Sequence, residues 1–145
     1  MSARRHGFLR DSRGANAVEF ALVAVPFVLL LLAIVEFGRV MWTREALQET
    51  AAAGARCMGV LNTNCASAGV FSASSSTAYI QDVAKGWGIL LPSSGVKLDR
   101  NATCAGVSGF SSVTLSYAFH TGAPALLAPL NSVPLEVNAC FPNNS

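Results

Sequence analysis

Between Phe20 and Val35 the chain runs sixteen residues without a charge, FALVAVPFVLLLLAIV. No other feature limits its folding as strongly. Extended to Ala15 and Phe37, the stretch is 23 residues long and holds two carboxylates, Glu19 and Glu36. About 20 apolar residues in a helix cross a hydrocarbon layer of ~30 Å. The run therefore predicts one transmembrane helix, in which Pro26 is better tolerated than in a soluble one. Arg4, Arg5, Arg10 and Arg13 crowd its N-terminal side, opposed by Asp11 alone. That asymmetry predicts a cytoplasmic N-terminus and a body on the far side of the membrane. A cleaved secretory signal shares the basic head. Its apolar core is usually about 7 to 15 residues, however, and ends near a small-x-small site. Here the nearest small-residue cluster, Ala51 to Ala55, follows four further charges. A plain signal anchor stays open.

Charge is scarce beyond the span. From Cys57 to Ser145 only Asp82, Lys85, Lys97, Asp99, Arg100 and Glu136 are charged, and the whole chain is 12% charged against about 25% for an ordinary soluble domain. So little charge with 52% hydrophobic residues argues against both a free cytosolic globule and disorder. A net charge of +2 gives no footing for nucleic-acid binding.

Residues 13–20 read RGANAVEF: Gly14 closes the basic head, Ala15 opens the apolar helix, and Glu19 stands fifth after Gly14. This resembles the processing site of type IV pilins and pseudopilins, which a membrane-embedded prepilin peptidase cuts after a Gly, leaving Glu at mature position five. The longer string RGANAVEFALVAVPFVLLLLAIVEFGRVMWTREALQETAAAGAR resembles the N-terminal signature of TadE-like proteins, minor pseudopilins of the tight-adherence (Tad, Flp) pilus machinery. Arg13, Gly14, Val18, Glu19, Phe20, Pro26, Glu36, Phe37, Gly38 and Arg39 carry the resemblance. Asn16 departs from it, where many relatives have Ala. The length suits a TadE or TadF type.

The resemblance implies a leader over 1–14, cut between Gly14 and Ala15, then a transmembrane helix over 15–39, a periplasmic helical extension over 40–58 and a small disulfide-containing α+β domain over 59–145. It implies a bacterial inner-membrane protein with a single span, open to incorporation in a pilus. Its implied partners are the prepilin peptidase, other pilin and pseudopilin subunits, the inner-membrane assembly platform and membrane lipid. It further implies that Glu19 meets the free α-amine of a neighbouring subunit, which offsets the cost of a charge in lipid and fixes axial register. Glu19 snorkelling to the interface is the plainer alternative. Cleavage would remove four arginines and one aspartate, leaving 6 basic and 7 acidic residues, a net charge of −1.

The helix need not stop at the interface, because residues 36–58 hold no proline and Val40, Leu47, Ala51, Ala55 and Met58 recur at helical spacing. Glu45, Gln48, Glu49 and Arg56 make its polar side. The small residues from Glu49 to Ala55 fit either close approach of another helix or packing beneath the chain's own sheet. Residues 59–77 read as a loop, and Ser76 or Thr77 can cap a short helix through Leu90, with Ile80, Val83, Ala84 and Trp87 on its apolar face. Pro92 to Gly95 reads as a turn, and strands are expected at 96–104, 112–119 and 133–141. Gly106 to Gly109 would turn the chain, and residues 121–131 form a loop. The expected class is α+β and pilin-like: a long N-terminal helix packed on a small antiparallel meander, with one short extra helix.

Cys57, Cys65, Cys104 and Cys140 all follow the span. An even count in an extracytoplasmic body points to disulfides, with three connectivities open. Cys57–Cys65 with Cys104–Cys140 is preferred, pinning the loop after the helix and tying the first strand to the last. No C-x-x-C supports a zinc site, and the body's histidine, His120, is distant in sequence. His120 reads as a strand-end surface residue. Gly86-Trp87-Gly88 lacks the third glycine and preceding strand of a phosphate loop. Asp99 and Arg100 read as solvated strand residues. Asn101-Ala-Thr and Asn143-Asn-Ser match glycosylation sequons, expected to be chance matches. No catalytic or cofactor-binding constellation is found, so no enzyme is expected. The alternative to a pseudopilin is an uncleaved, membrane-anchored extracytoplasmic interaction domain.

Overall fold

The computed structural model describes residues 12–122 and 132–144, without the side chains of Ser12, Arg13 and Ala15. The leader up to Asp11 and most of the loop expected at 121–131 lie outside the described residues. The class is α+β. Helix α1 (Ser12–Gly59) is followed by a two-residue hairpin, β1 (Ala66–Ser67) and β2 (Val70–Phe71), then by α2 (Ala73–Gly86). A 3-10 turn (Ser93–Gly95) leads into β3 (Val96–Cys104), β4 (Val107–Phe119) and β5 (Val133–Pro142). These three form one antiparallel sheet in the order β3-β4-β5, the expected meander. The chain divides into two units, Met1–Gly38 and Arg39–Ser145.

In the first unit α1 runs on through Pro26. Its described apolar side chains are exposed around the circumference, among them Phe20 at 75% and Leu22 at 71%. A window of this helix is long and apolar enough to cross a membrane and has no buried residue.

In the second unit the same helix acquires two sides. Ala46, Leu47, Thr50, Ala51, Ala55 and Met58 are buried, whereas Glu45, Gln48, Glu49 and Arg56 are exposed. From Leu47 the buried positions recur at i+3, i+4, i+7 (Gly54), i+8 and i+11, the stripe of an amphipathic helix. It packs with Ile80 and Ala84 of α2 and with Val113, Leu115, Leu135 and Val137 of the sheet in one core. Small residues set the spacing: a Cβ on Gly54 would come within 2.7 Å of the Ile80 side chain and 3.4 Å of Val113. Much of the Glu49–Ala55 stretch thus packs beneath the chain's own sheet, while Ala52 is exposed and Ala53 half-buried. Three buried polar side chains are satisfied, as burial requires. Thr50 Oγ1 donates to Ala46 O (2.7 Å), Ser76 Oγ to Ser72 O (2.8 Å), and Ser111 Oγ to Asn143 Oδ1 (2.6 Å).

Four boundaries differ from the sequence reading. Helix α1 starts at Ser12, upstream of Ala15. Helix α2 starts after Ser72, whose Oγ accepts from Ser75 N–H (3.3 Å) and so outcompetes Ser76 and Thr77 as the cap. It ends at Gly86, because Gly88 takes φ +77° and turns the chain. Trp87 therefore lies off the buried face, at 44% exposure. Strand β4 begins at Val107, because the hairpin turn needs only Ala105 and Gly106, both at positive φ (52° and 83°). The expected loop over 59–77 contains the β1–β2 hairpin and the first turn of α2.

Candidate functional site

Gly14, Ala15 and Glu19 lie together on the first turns of α1. Ala15 and Glu19 are one helical turn apart, at i and i+4, and so share a face. Glu19 is exposed. Gly14 is exposed, and a Cβ built there meets nothing within 4 Å. The Gly14–Ala15 bond is helical, not extended. It sits in the first turn, where backbone N–H groups have no intrahelical partner and the helix is easiest to unwind. Gly14 lowers local helix stability by about 1 kcal/mol relative to Ala.

Residues 14–56 match the family model for TadE-like protein. No curated protein and no solved structure matches the chain. The TadE-like segment takes in the basic-to-apolar junction, the candidate span and the turns of α1 that pass under the sheet. It stops one residue before Cys57, so most of the α+β body lies beyond it. The likeness is confined to this segment, whose long apolar helix near the N-terminus is a candidate membrane anchor.

The body is closed by the two preferred disulfides, Cys57–Cys65 and Cys104–Cys140. The first joins the last turns of α1 to the loop before β1. The second joins the end of β3 to β5, its partner twice removed across β4. On the chain-entropy account, loops of these lengths favour folding by about 2.5 and 4 kcal/mol.

An open groove of about 640 Å³ runs along the exposed side of α1 in the body, lined by Glu49, Ala52, Ala53, Arg56, Tyr79 and Phe141 among others. Among the described residues no group of three His, Cys, Asp or Glu could hold a metal ion. His120 is exposed just beyond the end of β4.

Two residues that sequence reasoning passed over organise the body. Asn143, expected as part of a chance sequon, accepts from Ser111 and donates through Nδ2 to Arg100 O (2.7 Å). Arg100 lies where β3 slips register between Asp99 and Ala102. Asp99, expected as merely solvated, accepts from Asn101 N–H (2.8 Å) across that bulge. Asn144 N–H then donates to Gly59 O (3.0 Å) at the end of α1. The C-terminal tail thus secures α1, β3 and β4 together. Nothing in the local sequence pairs Asn143 with Arg100.

Proposed function

We propose that this chain is a minor pseudopilin of the Tad/Flp type, matured between Gly14 and Ala15 by a prepilin peptidase and used in building or initiating an adhesive pilus. The match that starts at Gly14 and runs on through an apolar, unburied helix is the observation that carries this reading. The N-terminus would face the cytoplasm, where the basic head belongs, and the disulfide-closed body the periplasm, where disulfides persist. Partners would be other pilin and pseudopilin subunits and the inner-membrane assembly platform. Processing would require only the first turn of α1 to unwind, so that the Gly14–Ala15 bond can enter a protease cleft in extended form. After the cut, the Ala15 amine and the Glu19 carboxylate would each favour the other's charged form. Between neighbouring subunits that pair would set register.

A specific observation favours the alternative of an uncleaved anchor: α1 passes through Gly14–Ala15 as unbroken helix. Co-expression with the matching prepilin peptidase decides between them. N-terminal sequencing should show a chain beginning at Ala15, and Gly14→Leu should leave Met1 in place. An intact N-terminus in both would leave the anchored domain as the function. Glu19→Ala should leave cleavage intact and abolish co-assembly; co-assembly unchanged would remove the register role.

A further inference from the structure

The chain has two tryptophans, Trp42 and Trp87, far apart in sequence. The body brings their rings to 5.9 Å, edge to face at 72°. Neither is in the core: Trp42 is 63% exposed and Trp87 44%. Leu90, three residues after Trp87, is 79% exposed between buried Ile89 and Leu91. The loop that presents Trp87 and Leu90 is fixed. Ile89 N–H donates to Ala84 O (3.0 Å) and Gly88 N–H to Lys85 O (2.9 Å), the double bond of a glycine-capped helix end. Gln81 Nε2 holds Leu91 O at 2.9 Å. Gly86-Trp87-Gly88 is thus a helix terminator that displays a tryptophan.

Chain connectivity says what covers it. Trp42 follows Arg39 by three residues, a rise of about 4.5 Å along a helix. Arg39 is the first residue after the unit that carries the apolar span. The headgroup layer on each side of the hydrocarbon is roughly 5–7 Å deep, so Trp42 is tethered within it. Its ring contact then brings Trp87 to the same level. Indole rings are enriched there because they are apolar in body and carry one N–H donor. Arg39, whose guanidinium lies 5.4 Å from the centre of the Phe119 ring, and exposed Lys85 bring cations that lipid phosphates can meet.

We propose that Trp42, Trp87 and Leu90 form an interfacial foot by which the body engages the lipid headgroup layer. This rests on the membrane reading of the apolar span, and the test separates the two. The full chain is reconstituted in phosphatidylcholine vesicles, with or without bromine at a shallow acyl position, and tryptophan emission is compared. Unsubstituted protein should lose most of its emission in the brominated vesicles. So should Trp42→Phe, which leaves Trp87 as the reporter, and Trp87→Phe, which leaves Trp42. Leu90→Asp in the Trp42→Phe background should restore Trp87 emission. Quenching of Trp42 with Trp87 still bright overturns the foot. So does a bright Trp87 shielded from acrylamide, which would mean that protein covers it. Unchanged Trp87 quenching in the Leu90→Asp variant removes Leu90 from the foot. Failure of the protein to float with the vesicles overturns the span itself.

Discussion

Helix α1 is one element with two patterns of exposure. Before Gly38 its described apolar side chains, the half-buried Ala24 apart, are exposed, with Leu29 at 48% and Ile34 at 59%. After Arg39 its apolar residues divide, with Leu47, Ala51, Ala55 and Met58 at 0% and a row of charges behind them. In the first stretch composition matters and position does not, as expected of a candidate membrane span, whose every face hydrocarbon would meet alike. In the second, position decides, because only one stripe can reach the sheet. An apolar residue thus speaks for a candidate span at one end of α1 and for packing at the other.

The same substitution at both ends should break the symmetry of that chemistry. Leu47→Ala opens a cavity between α1, α2 and the sheet, at an expected loss of about 2–5 kcal/mol of body stability. Leu29→Ala removes the same atoms from a residue outside the core, and should change body stability by less than about 0.5 kcal/mol. Thermal unfolding of the body in detergent, followed by near-ultraviolet circular dichroism, measures both. Equal losses would mean that the two stretches share one core and that the comparison is wrong.

The contrast also explains what the sequence disclosed. The span, Gly14 and Glu19 are legible because their meaning is local: a run of apolar letters and a fixed offset within one helix. Strands β3 and β5 are legible because one-sided burial forces alternation, as in Val133, Leu135, Val137 and Ala139. The start of α2 is not, since the serines from Ser72 to Ser76 offer rival caps and only the fold lets Ser72 win. The start of β4 is hidden by Gly109, which sits at φ +88° inside a strand and looks like a turn. The Trp42–Trp87 contact and the Asn143 bridge are long-range pairings of residues that look ordinary in their own neighbourhoods. No period or spacing announces them.

Polar satisfaction sharpens the comparison on a smaller scale. Along the span, apart from the first turn and the Leu22 carbonyl to which Pro26 offers no N–H, the backbone is paired within the helix, so side chains need supply little. The body has a bulge and a tail that only side chains can close. Asn143→Ala would strand the buried Ser111 hydroxyl and the Arg100 carbonyl, at an expected loss of about 1–3 kcal/mol. Asn144→Ala keeps the backbone N–H that Gly59 O accepts and should be nearly neutral. Denaturant midpoints of the two variants, compared at equal m, test this. A neutral Asn143→Ala would mean that water replaces the bridge at no loss.

The smallest effect should be a gain, at the β3–β4 turn. Ala105 holds φ 52°, a left-handed conformation that its Cβ disfavours, beside Gly106 at 83°. Two-residue hairpin turns of this kind prefer Asn-Gly, because the Asn side chain tolerates and hydrogen-bonds within that region. Ala105 is exposed, so a larger side chain has room. Ala105→Asn should therefore stabilise the body by roughly 0.5–1 kcal/mol, near the scale of relieving one strained residue. The Cys104–Cys140 bridge adjoins the turn and already limits how far the unfolded chain can open it. The gain should then grow when that disulfide is replaced by a pair of serines, because the turn alone must hold the hairpin register. A gain independent of the disulfide would mean that Asn acts only on the turn's own strain, and that the turn and the cross-sheet bridge are separate devices.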